Sequence, residues 1–127
     1  MTTTVEKLLR SAHQATGQWI RTDKRLAIYI RDGWRCQYCG DDLSDVRAVE
    51  VSLDHIIPSK YGGDNESDNL VTSCRRCNGM RQDKALERFA SPETCRIIRR
   101  QLDKDISEYR KIARRLIDEQ KKAARAR

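Results

Sequence analysis

Leu53-Asp54-His55-Ile56-Ile57-Pro58-Ser59-Lys60-Tyr61-Gly62-Gly63 lies between two cysteine clamps, Cys36-Gln37-Tyr38-Cys39 and Cys74-Arg75-Arg76-Cys77. Val46 to Ile57 (VRAVEVSLDHII) alternates and is rich in β-branched residues, so it reads as a strand or hairpin. Pro58 ends that strand, and Ser59 to Asp68 (SKYGGDNESD) is a polar loop built around a Gly-Gly turn. The clamps frame this element. A two-residue spacer aims both thiolates of a clamp at one ion, and two clamps separated by 34 residues complete a tetrahedron. Cys36, Cys39, Cys74 and Cys77 are therefore expected to hold a closed structural zinc. The competing reading is four buried or redox thiols without metal.

A metal staple suits the composition. The chain has 127 residues, of which 38% are hydrophobic and 35% charged, so a single domain over 1–127 has a thin core. Zinc coupled to folding contributes on the order of 10 kcal/mol. The fifth cysteine, Cys95, is expected to be a small packed residue. No apolar run exceeds the five residues Leu26 to Ile30, and no secretory leader is recognisable. The expectation is an intracellular protein with no membrane partner, where structural disulfides are disfavoured. The oligomeric state is left open, with a monomer favoured.

The net charge of +7 points to an anionic partner, nucleic acid foremost. It is unevenly spread: residues 91–127 carry 12 basic and 6 acidic side chains, whereas residues 1–90 carry 14 and 13. In the basic part, Ser91-Pro92-Glu93 is a helix start, with a capping hydroxyl, Pro at the first position and an acid in the first turn. Ile98, Leu102, Ile106, Tyr109, Ala113 and Leu116 follow at steps of three and four, predicting one long amphipathic helix over 91–124. Its basic faces either dock on a DNA backbone or are simply solvated. Upstream, residues 4–18 read as a helix, and Arg25 to Arg31 as a second short one, with a strand as the alternative. A further helix is expected from about Cys74.

The combination of CQYC, LDHIIPSKYGG, the Asp68-Asn69-Leu70 triplet and CRRCNGMR resembles the HNH endonuclease family, in its four-cysteine, zinc-containing branch. The resemblance runs over residues 25–84 and leaves 1–24 and 91–127 uncovered. It implies an α+β fold: a small ββα-metal core, flanked by N-terminal helices and the long C-terminal helix. The three family positions fall on His55, Asn69 and Asn78, the last an asparagine where other members carry histidine. Asn69 is implied to tie the loop back to the strand. The implied activity is hydrolysis of DNA to 5′-phosphate and 3′-hydroxyl ends.

The residue chemistry runs parallel to the resemblance. Phosphodiester hydrolysis needs a base for water, a cation at the phosphoryl oxygens and help for the departing oxygen. His55 is the candidate base; Asp54 and Asn78 are oxygen ligands suited to one Mg²⁺ or Mn²⁺. Arg75, Arg76 and Arg81 surround Asn78 and are candidate phosphate contacts. The alternative function is a zinc-stabilised nucleic-acid-binding module in which Asp54, His55 and Asn78 do no chemistry.

Overall fold

A computed structural model describes residues 19–46 and 50–126. Helix α1 (Thr22–Arg31) leads into a turn-rich loop, followed by strand β1 (Val51–His55) and a 3-10 turn at Ser59–Tyr61. Strand β2 (Leu70–Cys74) then passes directly into α2 (Arg75–Arg81). The short α3 (Leu86–Phe89), α4 (Pro92–Leu102) and α5 (Ile106–Arg125) complete the order. The α+β expectation holds, with a two-stranded sheet and α2 forming a ββα unit. The helix expected over 4–18 lies outside the described residues, as does part of the strand expected from Val46.

The strands pair antiparallel, in a register running from Val51 opposite Cys74 to His55 opposite Leu70. Such a small sheet exposes polar edges unless something covers them. Here α1 does so. The buried Arg31 pairs with Asp32 at 2.9 Å and donates to the carbonyls of Ser67 at 2.7 Å and Leu70 at 2.6 Å. Asp32 Oδ2 accepts the Thr72 amide at 2.8 Å, and the amide of Gln37 donates to the Thr72 carbonyl at 3.0 Å. The outer edge of β2 is thus bonded by α1 and the first cysteine clamp. Leu26, Ala27, Ile28 and Tyr29 of α1 are fully buried.

The single C-terminal helix expected over 91–124 is corrected to two. Ser91 caps α4 by accepting the Thr94 amide at 3.1 Å, and Asp105 caps α5 by accepting the Ser107 amide at 2.9 Å. A helical periodicity that runs unbroken through Leu102 and Ile106 conceals two destinations. Ile98 and Leu102 pack with Ile56, Val71 and Leu86, whereas Ile106, Tyr109 and Ile117 pack about Leu26, Ala27 and Ala113. Asp105, a strong capping residue placed between the two sets, supplies the break.

Candidate active site and cysteine cage

The cage is assembled from two kinds of backbone. Cys36 and Cys39 come from the tight loop after α1, closed by hydrogen bonds from Cys36 N to Asp41 O (3.0 Å) and Gly40 N to Cys36 O (2.9 Å). Cys74 ends β2 and caps α2, its sulfur accepting the Cys77 amide at 3.3 Å. All four sulfurs lie within 4.8 Å of one another, and Cys39 and Cys74 are 3.9 Å apart. Zinc–sulfur bonds of about 2.3 Å make a tetrahedron with edges of about 3.8 Å, so the four donors fit the ion. Burial tends to raise the Cys36 thiol, but amide hydrogen bonds outweigh it and lower its pKa; burial raises Cys39 and Cys77. Arg76 lies against these sulfurs, Cys74 first, which raise its pKa.

The sheet and α2 bring the candidate residues together in two groups. On one side of β1, Ser52 and Asp54 meet α2: Asn78 Nδ2 donates to Ser52 Oγ at 3.0 Å, and Arg81 Nη1 donates to Asp54 Oδ2 at 2.7 Å. Residues two apart on a strand and three apart on a helix share a face, which is why these pairs match. His55, on the alternate face, bonds Asn65 Oδ1 through Nε2 at 2.8 Å, and its ring lies 5.0 Å from that of Trp19.

Asn69 is buried and joins the loop to the end of β1. Its Oδ1 accepts the Ile57 amide at 2.8 Å, and its Nδ2 donates to the carbonyls of Ile57 at 3.1 Å and Asp64 at 2.9 Å. Gly62 takes a left-handed φ of 90°, and Gly63 packs so tightly that a Cβ there would lie 1.7 Å from the Ile57 carbonyl oxygen. The Gly-Gly pair is therefore required by a turn and a close approach together.

The burial of Arg81 takes it out of the set expected to meet phosphates. Arg75 and Arg76 are exposed on the first turn of α2, but Arg81 has no exposure at all. Besides Asp54, it donates to the carbonyls of His55 and Ile56, both at 2.6 Å. Burial alone would lower its pKa; Asp54 and the Tyr38 hydroxyl outweigh this and raise it. Tyr38, inside the first clamp, donates to the same Asp54 oxygen, and burial followed by the Asp54 charge pushes its own pKa up. Sequence reasoning missed Tyr38 and Asn65. Tyr38 carried a usable signal, being the aromatic residue between the two cysteines of a clamp; Asn65 is one polar residue among many in its loop.

Donors for a hard cation are present. Asn78 directs its amide nitrogen to Ser52, leaving Oδ1 as a ligand atom, and Asp54 has Oδ1 beyond the oxygen held by Tyr38 and Arg81. Two such oxygens suit an ion that keeps waters and takes phosphate oxygens from its substrate.

Residues 36–92 match the family model described as HNH endonuclease. A CRISPR-associated endonuclease Cas9 from Listeria innocua serovar 6a (strain ATCC BAA-680 / CLIP 11262) is 30% identical over 71 residues. That match covers 56% of this chain and 5% of the relative, so the chain spans a small fraction of that protein's length. No solved structure gives a significant match. Among the described residues, no helix is long and apolar enough to cross a membrane.

Proposed function

We propose, from the match of residues 36–92 to the HNH endonuclease model, that this chain is a metal-dependent endonuclease that hydrolyses DNA phosphodiester bonds to 5′-phosphate and 3′-hydroxyl ends. The observation that carries the reading is the ββα unit itself, which sets His55 at the end of β1 beside Asp54 and turns Ser52 and Asp54 of that strand to α2, where Asn78 and Arg81 meet them. A histidine so placed takes the proton from an attacking water. Asp54 and Asn78 would hold one Mg²⁺ or Mn²⁺, which supplies charge neutralisation at the phosphoryl group and stabilises the leaving oxygen. Asn69 keeps the loop, and hence the approach to His55, fixed to the strand. Arg75 and Arg76 are exposed cations for the flanking phosphates; Arg81 holds Asp54 instead. The four cysteines carry a structural zinc.

Supercoiled plasmid incubated with Mg²⁺ or Mn²⁺ is expected to be nicked or linearised by the native chain, and to stay intact with EDTA. His55→Ala should lower the rate by about 10²–10⁴-fold, the usual contribution of a general base. A native chain that binds DNA but cleaves no better than His55→Ala would mark it as a binding module.

A further inference from the structure

Resting on His55 as the base of that reaction, we propose that Asn65 is its positioning residue, fixing the imidazole as the Nε2–H tautomer and leaving Nδ1 as the atom that accepts the proton. Asn65 Oδ1 lies 2.8 Å from His55 Nε2, while its Nδ2 points at the Trp19 carbonyl oxygen at 3.5 Å. The second contact orients the amide: nitrogen faces the carbonyl, so oxygen faces the ring. An amide oxygen only accepts, so Nε2 carries the hydrogen. A neutral imidazole has one such hydrogen, and Nδ1 is left with its lone pair.

The surroundings hold this arrangement although Asn65 itself is exposed. Its chain neighbours are both anchored: the Asp64 carbonyl accepts Asn69 Nδ2 at 2.9 Å, and Glu66 pairs with Lys24 at 3.1 Å. The Asn69 amide donates to the Glu66 carbonyl at 2.9 Å, closing the turn. The indole of Trp19 covers the imidazole at 5.0 Å, tilted by 33°, and is itself covered by the Arg25 guanidinium at 5.2 Å. The ring is thus restrained at one edge and on one face. An amide suits the task because it fixes the tautomer without placing a negative charge on the base.

The test is ¹⁵N NMR of the full-length zinc-loaded protein at alkaline pH, which reports the nitrogen that carries the hydrogen. His13, the other histidine, is removed by His13→Gln to leave one signal set. Native protein should give a protonated Nε2, with a hydrogen slow to exchange, and an unprotonated Nδ1. Asn65→Ala should lose that protection and average the two tautomers, with cleavage slowed by about 10–100-fold, as when an orienting partner is lost. Asn65→Asp still accepts from Nε2 but cannot donate to Trp19, so it should keep the signature; a purely structural loop residue would lose it. A signature unchanged in Asn65→Ala, or a native ring protonated at Nδ1, overturns the inference. Because the spectrum needs no turnover, those results leave the nuclease reading standing, and failure of plasmid cleavage leaves the tautomer result intact.

Discussion

A guanidinium without solvent must find acceptors for its donors, and Arg81 finds a carboxylate and two carbonyls within 2.7 Å. Removing one partner of such a pair strands the other. Arg81→Leu is therefore expected to destabilise the fold by about 3–5 kcal/mol in urea unfolding. Arg81→Lys should rescue little of it, since an ammonium cannot reproduce the planar fork. Tyr38→Phe, removing only the hydroxyl on Asp54, should cost about 1–2 kcal/mol in the same measurement. The sequence showed Asp54, His55 and Asn78 through their order and spacing, but not the burial of Arg81. Charged residues are ordinarily exposed, and only its helical register with Asn78, three positions earlier, hinted that it shares the face turned to β1.

Between elements, the contact of α1 with α5 joins an apolar stripe to an ionic clasp. Asp23 on α1 receives Arg110 and Arg114 of α5, each at 3.1 Å. Burial pushes the Asp23 pKa up, but the Arg110 and Arg114 hydrogen bonds outweigh it, so the pKa lies below its ordinary 3.8. A depressed carboxylate pKa contributes stability that is fully present above the ordinary value and is lost as pH falls through the lower one. Asp23→Asn should thus cost about 1–2 kcal/mol at neutral pH. The deficit should shrink below pH 3.8, as followed by thermal unfolding at several pH values. The periodicity of residues 98–116 announced the apolar stripe correctly. It could not announce the break at Asp105, because the stripe keeps its phase while its packing partners change from β2 and α3 to α1.

Across the whole molecule, the net charge of +7 resolves into separate uses. Arg31 and Arg81 are interior links, Arg110 and Arg114 bind Asp23, and Arg76 lies by the cage sulfurs. Composition pointed towards an anionic partner without distinguishing these cations from those left on the surface. The thin core implied by 38% hydrophobic residues is matched, among the described residues, by three clusters rather than one large one. Metal analysis of the purified protein is expected to find one zinc per chain. Chelation, or Cys36→Ser, should abolish cooperative unfolding followed by circular dichroism, since closed thiolate sites supply folding energy outright.

Cys74 has a position with a topological consequence: it is both the last residue of β2 and the cap of α2, facing sulfurs contributed from before β1. With the ion in place, the backbone from Cys39 to Cys74 becomes a closed ring that contains both strands and His55. A protease that nicks the exposed Ser59–Tyr61 turn would open this ring without freeing a fragment. The two pieces would migrate together on a native gel and part only when the metal is withdrawn, much as disulfide-linked halves part on reduction.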